Sequence, residues 1–410
     1  MTSTEPTIRT VYLDRATPPH ISTLVLVAGL AALSMNIFLP TLSAMATHFG
    51  TSYAVMQLAV SGYLAGTAIL QLAIGPLSDL FGRRPVMIGC VVMLVTGTLI
   101  CLLAPNAAVF MIGRLLQTAI VAGFVLSRAI VRDMVPAEEA ASMIGYVTMG
   151  MSLVPMVAPA LGGFLGDIFG WKANFLVILV YALVCLVISL RDLGETNHQR
   201  ATSLGAQFRT WPELVRAPVF WGYVLTGGFA SGVFYAFLGG APYIGAVVYG
   251  LAPAMLGLQF MLLAVGYLVG NFLSGRYARH VGLMGMITCG NLVSAAGVAG
   301  SLILVGTGSE AAIAFFGPLG LVGIGNGLAM PSANAGMVSV RTHLAGSASG
   351  LGGAVMVGAG AALSVLAGWI LSSGGGVMLV LWLMLACALL AIASTEFIRL
   401  TARKAASEDR

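Results

Sequence analysis

Charge is what this chain of 410 residues has least of: Asp, Glu, Lys and Arg together make up 8% of it, against about 25% in a soluble protein. So few charges cannot cover a water-facing surface of this size. Disorder is excluded by the opposite excess, 59% hydrophobic residues and a mean hydropathy of +0.98. Lysine occurs only as Lys172 and Lys404, neither in a phosphate-binding loop. HExxH and GxSxG are missing too, since Gly346 to Gly350 reads GSASG with its serine out of register. An enzyme is therefore not expected. Cys90, Cys101, Cys185, Cys289 and Cys387 lie singly in apolar runs, so neither a disulfide framework nor a metal site is indicated and no cofactor is expected. The 53 glycines follow no three-residue period, which removes collagen and suits closely packed membrane helices. Alternating barrel strands are lacking, so the spanning elements are expected to be α-helices.

A hydrocarbon core about 30 Å thick takes about 20 apolar residues per helix. Twelve such runs are present: roughly 21 to 46, 53 to 75, 85 to 104, 107 to 131, 139 to 166, 172 to 190, 218 to 248, 252 to 274, 281 to 306, 311 to 337, 344 to 372 and 377 to 398. They are numbered here as spans 1 to 12. With both termini in the cytoplasm, every Arg and Lys except Lys172 and Arg114 falls in or beside an inner loop, as the positive-inside rule requires. The net charge of +5 then reflects topology and contact with anionic lipid headgroups rather than nucleic acid. The polar start, Met1 to His20, lacks the basic and short apolar regions of a cleaved signal, so none is expected.

Gly62-Tyr63-Leu64-Ala65-Gly66 recurs as Gly266-Tyr267-Leu268-Val269-Gly270, and AASMIG at Ala140 to Gly145 resembles AGSASG at Ala345 to Gly350. The two matches share nearly one offset, half a chain length, and point to a duplicated six-helix unit. The expected fold is all-α integral membrane, twelve helices in two pseudo-symmetric six-helix bundles, residues 1–191 and 218–410, joined by a cytoplasmic linker at 192–217. Such paired repeats hold a solute site near the midplane. Within the linker, Leu204, Phe208, Trp211 and Val215 recur at helical spacing beside Arg200, Arg209 and Arg216, as in a short helix lying on the inner leaflet or, equally, a solvated tether.

Between spans 2 and 3 the sequence reads Gly75-Pro76-Leu77-Ser78-Asp79-Leu80-Phe81-Gly82-Arg83-Arg84-Pro85. Its glycines permit close approach and a tight turn, Asp79 is an anion suited to a helix N-terminus, and Arg83 is a fork seeking a carboxylate. This stretch resembles the G-x-L-x-D-x-x-G-R-R/K loop of the major facilitator superfamily. The resemblance implies an inner latch of Gly75, Asp79, Gly82, Arg83 and Arg84, with Asp133 placed to take Arg83. The second half reads Gly275-Arg276-Tyr277-Ala278-Arg279-His280-Val281-Gly282, with arginine where Asp79 would be, so the latch is expected to be asymmetric.

Arg114 is the one basic residue in mid-span, where an ionised group costs at least about 2.5 kcal/mol and must find a partner. Arg114-Leu115-Leu116-Gln117 resembles the R-x-x-Q motif of proton-coupled members. Span 5, with Gly150, Pro155, Pro159, Gly162 and Gly163, resembles the family's antiporter motif in part, Val154 and Ala158 replacing two glycines. Ser34 to Pro40 and Arg128 to Asp133 are similar to the Bcr/CflA branch of drug exporters, but Asn36 stands where that branch has aspartate. No acidic residue remains in mid-membrane, because the others fall in inner segments and Asp167 and Glu310 in outer ones. Since an amide cannot titrate, protons are left to Asp79, Asp133 or Asp167, to a titratable substrate, or to no coupling at all.

Polar amides and aromatics, Asn36, Phe38, Tyr63, Gln117, Tyr235, Gln259, Tyr267 and Asn326, are the residues expected to meet solute. The resemblance implies a multidrug exporter in a bacterial inner membrane, exchanging neutral or amphiphilic drugs of the phenicol or bicyclomycin type for protons. Its partners would be small molecules, protons and membrane lipids, and a monomer is expected. A sugar or metabolite permease of the same fold, or a transporter without proton coupling, is the alternative.

Overall fold

The computed structural model describes residues 10–135, 137–197, 211–341 and 344–408. Among these the chain is helical, with no strand. Ten helices among the described residues are long and apolar enough to cross a membrane. One of them, Pro253–Gly306, is two spans merged across a kink at Gly282, and Ala137–Phe169 completes the expected twelve. Large apolar side chains such as Leu103, Ile69 and Phe169 are exposed on the helix surfaces, the arrangement of helices solvated by lipid rather than water. This is the major facilitator fold.

Four features depart from the expected helix pattern. Span 1 is not one rod: Ile21–Asn36 stops, Leu39–Thr41 forms a 3-10 turn, and Leu42–His48 resumes the helix. Pro40 accounts for this, because its ring removes an amide donor and crowds the carbonyl four residues back, that of Asn36. Span 4 is likewise interrupted, by a 3-10 turn at Thr118–Val121 between Ala107–Gln117 and Ala122–Met134. Span 2 continues as helix to Phe81 despite Pro76, so most of the expected loop is helical and Gly82 alone separates it from span 3, Arg83–Leu103. The linker begins docked rather than solvated: Leu193 is buried and a side chain at Gly194 would meet the carbonyl oxygens of Thr17 and Arg15.

Of the amphipathic linker pattern, Arg200, Leu204, Phe208 and Arg209 lie outside the described residues. Trp211–Val215 is a short helix with Leu214 buried in an apolar cluster with Phe220, Val224 and Met337. Glu213 pairs with Arg341 at 3.1 Å.

Packing divides the chain into two compact units. One holds span 1 to Met35, span 2 from Leu70, spans 3 and 4, span 5 to Pro155, and span 6 from Phe175. The other holds span 1 from Asn36, span 2 to Ile69, span 5 from Met156, and the spans of the second half. Two of these divisions coincide with helix-bending chemistry, the break at Asn36 and the proline at Pro155.

Candidate functional site

The junction of spans 2 and 3 gathers ions. Arg83 donates from Nε to Asp133 at 3.0 Å and from Nη1 to Asp79 at 2.5 Å, and also bonds Ser78 at 2.5 Å. Asp79 lies in the last turn of span 2 and Arg83 opens span 3, so the turn at Gly82 is what folds the guanidinium back onto the carboxylate. Asp133 comes from the end of span 4. The guanidinium side chain is 11% exposed and the two carboxylates 23% and 25%, which shields the pairs more than an open surface would.

A residue that the sequence reading passed over completes the cluster. Glu195 accepts the backbone amides of Arg83 at 2.9 Å and Arg84 at 3.4 Å, and those of Thr196 and Asn197 at 3.1 and 3.0 Å. Glu195 occupies the N-terminus of span 3, satisfying its orphan amides and meeting the positive end of its dipole. Gly82, at φ 102°, needs glycine for its backbone, and a side chain there would also collide with the Glu195 carboxylate. Gly75, by contrast, has open space where a side chain would go. Arg84 turns aside to the carbonyl of Leu193 at 2.8 Å. Nearby, buried Asp192 accepts from the amides of Leu13 and His20 and from the Thr23 hydroxyl, capping the start of span 1. In the second half Gly282 repeats the turn at φ 78°, and Arg279 is exposed.

Arg114 is enclosed, 1% exposed. Its guanidinium bonds Gln117 Oε1 and donates to the carbonyl of Ser34 at 3.2 Å, while Gln117 Nε2 donates to Thr98 Oγ1 at 2.7 Å. Ser34 sits two residues before the break in span 1, so the arginine supplies a donor where helical bonding fails. The same network ties spans 1, 3 and 4, and Gly97 and Gly113 let spans 3 and 4 approach backbone to backbone.

Span 5 uses its glycines for contact. A side chain at Gly162 would strike the carbonyl of Ile37, one at Gly163 the carbonyl of Pro253, and one at Gly257 the carbonyl of Pro159. Spans 5 and 8 thus interlock reciprocally within one unit, and Pro159 is buried in the crossing. Gly150 lies in the same helix, and Pro155 is half-buried. Asp167 is exposed near the end of this span.

Of the residues expected to meet solute, Asn36, Phe38 and Tyr63 are buried at 4%, 0% and 4% exposure. Tyr235 lays its ring against Gly360, and its phenol lies within electrostatic reach of Tyr267. The buried side-chain oxygens Oδ1 of Asn326, Oε1 of Gln259 and Oγ1 of Thr226 have no hydrogen-bond partner among the described residues. Tyr53 and Ser364, which the sequence reading did not single out, join Gln57 in buried bonds between spans far apart in the chain.

Twelve spanning helices, broken in the membrane and packed through glycines, with ions at one end and an enclosed arginine, define a membrane transporter rather than an enzyme. Residues 24–365 match the Major Facilitator Superfamily, and the chain belongs to that family. It is 33% identical over 62% of its length to an uncharacterised MFS-type transporter of Bacillus subtilis, YdgK, and that match spans 64% of the relative. It is 29% identical to a chloramphenicol resistance protein of Pseudomonas aeruginosa, over 78% of this chain and 76% of that one. Among solved structures, the D-xylose-proton symporter superposes with a TM-score of 0.75 at 15% identity, covering 92% of this chain and 96% of that one.

Proposed function

We propose that the chain is a drug exporter of the Bcr/CflA type in a bacterial inner membrane, both termini cytoplasmic, working by alternating access as drug:proton antiport. In this reading residues 1–191 and 218–410 rock about the linker at 192–217, and the Arg83 cluster latches the inner side. The observation that carries the substrate class is the set of buried, unpartnered acceptor oxygens at Asn326, Gln259 and Thr226. Each costs about 1–3 kcal/mol if left unmade, so a neutral solute bearing hydroxyl or amide donors fits them better than a cation, for which no carboxylate stands in mid-span. Kinship with a chloramphenicol resistance protein supports the same class.

Proton coupling then rests on the carboxylates outside mid-span, Asp79, Asp133 or Asp167, of which the first two are bonded to Arg83. Arg114, held by Gln117 and Ser34, braces span 1 at its break. In everted vesicles carrying an imposed pH gradient, adding a phenicol should dissipate the gradient, and Arg114→Ala should abolish the response. A gradient that no neutral drug disturbs, with drug still moving, would leave export without antiport.

A further inference from the structure

Spans 2, 7 and 11 meet at the end of span 2 opposite the Arg83 cluster, and they meet through uncharged groups. Tyr53, in the first turn of span 2, donates its hydroxyl to the carbonyl of Gly239 in span 7 at 3.1 Å. Its ring meets Tyr243 edge-on, with centroids 5.0 Å apart. One turn further along, Gln57 Nε2 bonds the Ser364 hydroxyl of span 11 at 3.0 Å. Tyr53, Gln57 and Ser364 are 8%, 2% and 0% exposed.

The seat for these bonds is shaped by glycine. Gly239 brings span 7 against the backbone of Ser364, and Gly368, one turn beyond Ser364 on the same face, leaves room for the Gln57 stem. All of these residues belong to one compact unit. They join the first half of the chain to the second without an ion.

The bond set is also incomplete. Gln57 Oε1 has no partner among the described residues, so closure dehydrates half of an amide without repayment. Separation would return that oxygen, the phenol and the serine to water. Such a contact holds while closed and costs little to undo, as a door that must open every cycle requires.

We propose that Tyr53 and Gln57, with Gly239 and Ser364 as their acceptors and Tyr243 as backing, form a neutral, releasable lock on the outer mouth of the transporter. The proposal rests on the alternating-access reading and on the orientation with Tyr53 outside. Each bond biases the closed state by a factor of about three to ten.

The test places spin labels at Thr47→Cys and Ala252→Cys, exposed positions in the two halves at that end. Cys289, the exposed native cysteine, is replaced by serine, while the other four are buried. Distances are measured in reconstituted full-length protein. Tyr53→Phe should raise the long-distance population about three- to tenfold. Ser364→Ala, which leaves the whole Gln57 amide buried without a bond, should raise it at least as much, whereas Gln57→Leu removes the bond and the unrepaid oxygen together and should cancel the Ser364→Ala effect. Unchanged populations in Tyr53→Phe and Ser364→Ala proteins that remain monodisperse and transport drug would overturn the lock. So would a Ser364→Ala effect that persists undiminished beside Gln57→Leu. If the unsubstituted protein instead shows one distance under every solute and moves none, the alternating-access reading falls, and the lock with it.

Discussion

The two ends of span 2 are tied by different chemistry. At its last turn, Asp79 and Asp133 bracket Arg83 in ion pairs that keep a quarter or less of their side chains exposed. At its first two turns, Tyr53 and Gln57 make neutral bonds out of contact with solvent. A partly exposed ion cluster can be loosened by a proton or by salt, since charge is what holds it. A neutral lock answers to neither and yields only to competing hydrogen-bonding groups, water or a solute. One helix therefore carries a chemically addressable end and a mechanically releasable one.

The contrast breaks hardest at Arg83. Arg83→Ala removes both ion pairs and leaves two carboxylates facing each other, and initial transport rates in proteoliposomes should fall at least about tenfold, or ~1.4 kcal/mol. A fully active Arg83→Ala protein would show that the ionic end takes no part in the cycle. A smaller effect is expected at the turn itself. Gly82→Ala forces a strained backbone and displaces Glu195, costing about 1–3 kcal/mol in thermal denaturation, whereas Gly75→Ala enters open space and should be near neutral. Least affected is Glu195→Gln, which keeps an acceptor for the span 3 amides but loses its attraction to the helix dipole. It should cost about 0.3–1 kcal/mol, and the deficit should shrink in high salt.

Much of this was legible in the chain itself. Hydropathy and arginine placement suffice for the twelve spans, because lipid demands long apolar helices and few other solutions. The Arg83 ion pairs could be anticipated because Asp79 and Arg83 are four residues apart across a single turn, with Asp133 coming from the end of span 4. Glu195 was hidden because its role depends on the linker folding back under span 3, and nothing in Leu193-Gly194-Glu195-Thr196 announces that docking. Tyr53 and Ser364 were hidden for a related reason. A tyrosine at a span end reads as an interfacial anchor and a serine in a glycine-rich span as packing, until tertiary structure sets them beside Gly239 and Gln57. The break in span 1 was within reach, since Pro40 stands in plain view, but twenty-odd apolar residues in a row masked it. That break in turn explains why Arg114 can be retained in an apolar setting, through the Ser34 carbonyl it meets there.

Gly82 and Gly282 adopt nearly the same left-handed extended turn, at φ 102° and 78°, although the charged residues around them differ. In any library built to retune this transporter, those two positions should stay fixed while their charged neighbours vary freely, because a mirror-image backbone tolerates almost no side chain, whatever cargo the protein is asked to carry.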